Sequence, residues 1–243
     1  MASEKTSWQM VDPEAKLFTC QYRVANFISR SNAFPTASGQ WVIVSPSAEK
    51  LELPGTVIKD VQESETAPCL VLPNAFHFLG YAAWKKKFPR AQGYAPEGAL
   101  ARLARKGCDD LKPLAELKGL LPQGVSVVEL PGLRYGETWF RFSHAGERTW
   151  VTGDVFFNLK RFSRQPFARL TQKLLGSAPG LKLPATIKYV LIKDRKVFLS
   201  CLEKLLREDK PTRLLPLHGE ILSDPDLPQK LTVLLRERLG AKF

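Results

Sequence analysis

The chain has 243 residues, of which 44% are hydrophobic and 25% charged, and a formal net charge of +12. This composition excludes a disordered, collagen-like or coiled-coil protein, and a chain of this length buries enough apolar surface to fold without a disulfide or structural metal. No apolar run approaches the roughly 20 residues that span a bilayer, and Met1-Ala-Ser-Glu-Lys-Thr-Ser has no apolar segment behind it, so neither a membrane span nor a secretory signal is expected.

Residues 16–24 alternate and are rich in β-formers, which predicts a first strand. Gln40-Trp-Val-Ile-Val-Ser-Pro reads as a buried strand that stops at Pro46, Cys69-Leu-Val-Leu as another stopped by Pro73, and Val125-Ser-Val-Val-Glu-Leu as a fourth stopped by Pro131-Gly132. Thr138–Phe142 and Arg148–Thr152 form a hairpin across the turn Ser143-His-Ala-Gly-Glu, with His144 at its tip. Helices are expected at Ala82–Phe88, Pro96–Lys106, Arg164–Leu175, Asp194–Glu208 and Pro228–Leu239. Asp194 suits an N-cap, because its carboxylate accepts the first unpaired N–H groups. Phe198, Cys201, Leu202, Leu205 and Leu206 recur at helical spacing and mark a core face. Thr212-Arg-Leu-Leu-Pro-Leu is a last strand, ending at His218-Gly219. No Gly/Ser-rich linker interrupts this order, so residues 1–243 are expected to form a single α/β domain of two sheets flanked by helices.

The four cysteines, Cys20, Cys69, Cys108 and Cys201, make no C-x-x-C clip, and Cys69 and Cys201 lie in apolar runs. They suggest neither a zinc cluster nor a disulfide framework, and a reducing cytoplasm is the expected compartment. The positive charge is uneven. Residues 85–118 carry 9 basic and 4 acidic groups, and residues 160–213 carry 14 and 4, a net +10. Within the latter block, residues 160–182 hold six basic side chains and no acidic one. Such a field concentrates anions, so the expected partner is an anionic small molecule or an acidic protein surface. The chain carries no zinc finger, RNP-like motif or GxxG loop of the KH kind, so nucleic acid is not expected, nor is a membrane.

Two of the three histidines and one aspartate stand just past buried strands: His77 after Cys69–Leu72, Asp154 in Thr152-Gly153-Asp154, and His218 after Thr212–Leu217. Strand ends and the loops behind them are where a rigid scaffold holds reactive groups. Two imidazoles and a carboxylate form a three-ligand set for catalytic zinc, with the fourth position left for water, and they equally suit ferrous iron. The same residues also suit a metal-free arrangement, with hydrogen-bonded histidines and a turn-forming aspartate.

The order strand, His77, hairpin, Thr-Gly-Asp154, helix, strand, His218-Gly resembles the metallo-β-lactamase superfamily over roughly residues 17–222. Trp41-Val-Ile-Val-Ser-Pro, Pro73-Asn74-Ala-Phe-His77-Phe-Leu-Gly, Trp84-Lys-Lys-Lys-Phe-Pro-Arg-Ala and Tyr94-Ala-Pro-Glu-Gly resemble an uncharacterised branch of it, with Pro-Asn-x-x-His in place of the histidine-rich motif. The resemblance implies a four-layer αβ/βα sandwich with metals held at one edge of its two sheets. Carried over by position, the superfamily motif H-x-H-x-D-H falls on Leu72, Asn74, Phe76 and His77. The next histidine falls on Leu133, the bridging aspartate on Asp154 and the final histidine on His218.

The motif is therefore degenerate. Leu72 and Leu133 cannot ligate, Asn74 is at most a weak or supporting ligand, and Phe76 stands where the family has an aspartate. Two-metal hydrolysis is not expected. The leading expectation is a degenerate site that binds an anionic ligand or partner without that chemistry and holds either no metal or one divalent metal, with zinc ahead of iron. The alternative is a single-metal hydrolase of a small anionic ester, thioester, lactone or phosphoester. It would use His77, Asp154 and His218 as ligands, with Asp154 catalytic and Arg134 and Tyr135 touching substrate.

Overall fold

The computed structural model describes residues 7–24, 27–54 and 67–242. They divide into two compact units that meet in sequence between Gly124 and Val125.

The first unit is built on seven strands: β1 (Gln9–Asp12), β2 (Leu17–Val24), β3 (Phe27–Pro35), β4 (Trp41–Val44), β5 (Cys69–Val71), β6 (Gln92–Ala95) and β7 (Lys112–Pro113), in that spatial order. β1 to β4 run antiparallel to one another, and β4 to β7 run parallel. Parallel neighbours need a crossover, usually helical. Here α1 (Tyr81–Lys87) links β5 to β6, and α2 (Glu97–Ala104) links β6 to β7. Every side chain of β5 is buried, as in a strand covered on both faces. Burying Trp84 and Leu103 anchors α1 and α2.

The second unit holds β8 (Val125–Glu129), β9 (Thr138–His144), β10 (Glu147–Leu159), β11 (Gly180–Lys182), β12 (Arg213–Gly219) and β13 (Leu222–Ser223). Their order is β13-β12-β10-β9-β8, with β11 added on β10. β10 and β12 are parallel. The chain between them contains α3 (Pro166–Leu175) and α4 (Arg195–Asp209), and α5 (Leu227–Leu239) follows β13. One core joins Trp139, Trp150 and Phe156 from the sheet to Phe198, Leu202, Leu205 and Leu206 of α4 and Leu231 and Leu235 of α5, with Cys201 packed against it. Asp194 caps α4, its Oδ1 accepting the Val197 N–H at 3.0 Å.

The architecture is thus α/β with two sheets, as expected, and the main helices lie within a residue or two of their expected bounds. Three local readings are corrected. The β9–β10 turn is only Ala145-Gly146, both at positive φ (45° and 82°), so Ser143 and Glu147 are strand residues and His144 pairs with Glu147 instead of standing at the tip. β10 does not stop at Thr152 but runs to Leu159, so Asp154 lies within a strand. His218 lies within β12. In the last two cases the sequence pattern broke at a glycine or an ionisable residue, while backbone pairing carried the strand on.

Candidate metal centre

Asp154 and His218 are set by the pairing of β10 with β12. Register is regular up to Thr152↔Pro216 and resumes at Phe157↔His218. Four residues of β10, Gly153 to Phe156, therefore pass a single β12 residue, Leu217. Such a bulge re-aims side chains, and it turns Asp154 toward His218. Asp154 Oδ1 lies 3.1 Å from His218 Nε2, and their side chains are only 13% and 15% exposed.

The bulge is held from beneath. Glu137, just before β9, is 2% exposed, and its Oε1 accepts hydrogen bonds from Trp139 Nε1 (3.1 Å) and from the Val155 N–H (3.3 Å). A β-carbon on Gly153 would lie 2.4–2.5 Å from the Glu137 carboxylate, so glycine is required there by close approach. On β12, the backbone of Gly219 has φ +107°, and a β-carbon would lie 2.1 Å from the Asn158 carbonyl oxygen. His218 is thereby fixed against β10, with the Phe157 ring 4.6 Å away, centroid to centroid.

In the first unit, His77 is half-buried on the loop that leaves β5. Its Nδ1 is 2.9 Å from Ser45 Oγ, which lies 2.8 Å from the Tyr22 hydroxyl. Ser45 is fully buried and sits at φ +56°, a left-handed conformation unusual for a residue with a side chain. It is held there as its N–H donates to the Val71 carbonyl (2.9 Å) and its own carbonyl accepts from Ser31 Oγ (2.5 Å). Strain of this kind persists only where the surroundings over-determine it, and it gathers at functional sites.

Asn74 is buried and shapes this loop, its Oδ1 accepting the Phe76 N–H at 2.9 Å. Phe76 is 38% exposed, and its ring is 5.0 Å from the Arg102 guanidinium. Leu72 is fully buried. In the second unit, Leu133 forms an isolated antiparallel bridge with Ile192, the Arg134 N–H donates to the Leu191 carbonyl at 2.9 Å, the Arg134 side chain is exposed and Tyr135 is half-buried. Sequence reasoning did not find Tyr22, Ser45 or Glu137. Ser45 and Glu137 were visible as polar residues abutting buried strands, but nothing local announces their partners.

Within the second unit the donor pair fits a metal chemically, since the Asp154 carboxylate and the His218 imidazole are both common ligand types. The Asp154–His218 spacing fits as well. Two ligand atoms about 2.1 Å from one ion, at angles between octahedral and tetrahedral, lie roughly 2.9–3.4 Å apart, and the observed gap is 3.1 Å.

No family model matches the chain, and no curated protein matches it by sequence. Solved structures do match. TMB-1 aligns over 96% of this chain and 97% of its own, with 13% identity and a TM-score of 0.60. The DIM-1 metallo-β-lactamase aligns over 96% and 99%, with 12% identity and a TM-score of 0.57. A variant of the flavo di-iron protein of Thermotoga maritima aligns over 97% of this chain, with 13% identity and a TM-score of 0.60, but the chain spans only 62% of that protein's length. At such identities the likeness extends to the fold, and on that ground the chain has the metallo-β-lactamase fold.

Proposed function

We propose that the chain is a single-metal hydrolase in which His77, Asp154 and His218 hold one divalent cation, and that its substrate is a small anionic ester, thioester, lactone or phosphoester. The observation that carries this reading is the Asp154–His218 pair, two ligand-type atoms 3.1 Å apart, little exposed and fixed on adjacent strands of one sheet. When bound, a divalent ion would supply Lewis acidity and a nucleophilic hydroxide near neutral pH. The nitrogen–oxygen donor set favours zinc, with iron next.

The chain's own groups have the following parts. His77 would ligate through Nε2, with Nδ1–H donating to Ser45 Oγ. A hydrogen bond to the second ring nitrogen fixes the tautomer and aim of a ligating histidine, and Tyr22 backs Ser45 in that role. Glu137 holds the bulge that aims Asp154. Arg134, and beyond it the basic block at 160–213, would draw an anionic substrate.

Phe76 supports a second reading. It occupies the position at which the resemblance places a water-orienting carboxylate, and it carries Arg102 on its ring. That arrangement suits binding of an anion without hydrolysis, by a site that holds no metal. Elemental analysis of protein purified without added metal, then incubated with zinc and freed of excess, separates the two readings. The hydrolase reading expects close to one metal per chain in the parent and a small fraction of that in Asp154→Asn and His77→Ala. Metal content near zero in the parent and both variants alike would overturn it in favour of the metal-free reading.

A further inference from the structure

Helix α3 points its apolar ridge the wrong way for a helix that only supports a core. Phe167, Leu170 and Leu174, spaced i, i+3 and i+7, lie on one face and are 76%, 54% and 74% exposed. The face turned inward is narrow and partly polar. Ala168 and Gln172 are buried, and Gln172 Oε1 accepts the Ser163 N–H at 2.7 Å. Arg169 and Lys173, four residues apart, form an exposed strip on the remaining side, and Lys160, Arg161 and Arg164 precede the helix, all exposed. No acidic residue occurs between 160 and 182.

We propose that α3 is an interfacial helix that seats this protein on an anionic lipid surface, with Phe167, Leu170 and Leu174 entering the headgroup–acyl boundary and the five basic side chains meeting lipid phosphates and carboxylates. An apolar ridge beside a basic strip is the pattern of helices that lie in that plane. A protruding ridge does not form a groove for a peptide. Nucleic acid would reward the charges but not three bulky apolar side chains. A second copy would oppose two faces of the same strong positive charge. A lipid surface satisfies both features, since apolar side chains enter it and cations gather at its anionic headgroups. The lack of a membrane-spanning helix among the described residues does not bear on adsorption to a surface. The inference is independent of the metal site.

Co-sedimentation of the full chain with vesicles tests it. One set contains three parts phosphatidylcholine to one part phosphatidylserine, and the other is pure phosphatidylcholine. Binding is expected to the anionic vesicles at about 0.1 M salt, to weaken strongly at about 0.5 M as the charges are screened, and to be at least tenfold weaker on the neutral ones. Each basic residue near such a surface contributes about fivefold. Arg164→Gln, Arg169→Gln and Lys173→Gln together should therefore weaken binding roughly a hundredfold. Phe167→Ser, Leu170→Ser and Leu174→Ser together should also abolish pelleting, with circular dichroism unchanged because all three side chains are exposed. The single variant Phe167→Ser, at the most exposed of the three positions, keeps the test valid if the triple variant misfolds. No pelleting with anionic vesicles, equal pelleting with neutral ones, or pelleting untouched by the serine substitutions would overturn the proposal. So would a dimer in sedimentation velocity that the serine substitutions dissolve while vesicle binding is absent.

Discussion

Replacing Gly153 by alanine places a methyl group where the Glu137 carboxylate now lies. The new carbon would sit 2.4 Å from Oε1 and 2.5 Å from Cδ and Oε2, about 1 Å inside ordinary contact. Glu137 cannot simply swing away, because it is buried and its Oε1 accepts from Trp139 and Val155. Either the carboxylate yields, weakening hydrogen bonds worth about 1.5–3 kcal/mol each when the acceptor is charged, or the bulge shifts at the usual overpacking cost of about 1–3 kcal/mol. Gly153→Ala should therefore destabilise by about 2–4 kcal/mol. In a Glu137→Ala background the obstacle is gone, and the same substitution should cost less than about 1 kcal/mol. The cycle thus predicts a coupling of about 2 kcal/mol, within the range for residues in contact. Urea titrations of the four proteins followed by tryptophan fluorescence measure it, with Trp139 as the adjacent reporter. An equal cost of Gly153→Ala in both backgrounds would refute the contact between glycine and carboxylate as the reason for this residue.

Three further outcomes follow from the structure. Asp194→Ala removes the cap of α4 and should lower stability by about 1 kcal/mol, measured by urea midpoint, whereas Asp194→Asn should restore most of it. Burial pushes the Cys69 thiol up to about 11 against a hydrogen bond with Tyr94 that lowers it, and burial also raises Cys108 and Cys201; a disulfide reagent at pH 8 should label the native chain slowly and all four cysteines quickly in guanidinium, and fast native labelling of Cys69 would contradict its burial. For Asp110, burial raises the pKa but hydrogen bonds from Lys85 and Tyr81 outweigh it, leaving it below its ordinary 3.8. The folded state then binds fewer protons, so this contribution is present above that ordinary value and fades as pH falls through the lowered one. Asp110→Asn should accordingly reduce stability at pH 7 and lessen the acid sensitivity of the parent, read from thermal midpoints between pH 3 and 7.

What the sequence disclosed depended on how local the cause was. The cap at Asp194 and the core face from Phe198 to Leu206 are set by residues within a few turns of each other, and both were legible. The identity of Asp154 and His218 as a candidate pair came from their places beside buried strands and from the resemblance, while their juxtaposition depends on a bulge between strands about sixty residues apart, which no local pattern records. The extension of β10 past Thr152 was hidden because Gly153 and Asp154 are poor strand formers; pairing with β11 and β12 overrides that preference. Edge strands such as β7 and β13, two residues each, are too short to leave a periodic trace. The direction of α3 was also illegible, since its spacing shows an apolar stripe but not which side of the helix the protein covers.

The stretch from Gly153 to Phe156 is bracketed by firm backbone pairing on both sides. Substitutions inside it can alter what is presented to a ligand without unzipping the ladder, because alignment is fixed at Thr152 and again at Phe157. Within that stretch Val155 and Phe156 are each 1% exposed and belong to the core, so the freedom is confined to Asp154, and randomising position 154 alone, with Gly153 untouched, is where altered selectivity is most readily sought.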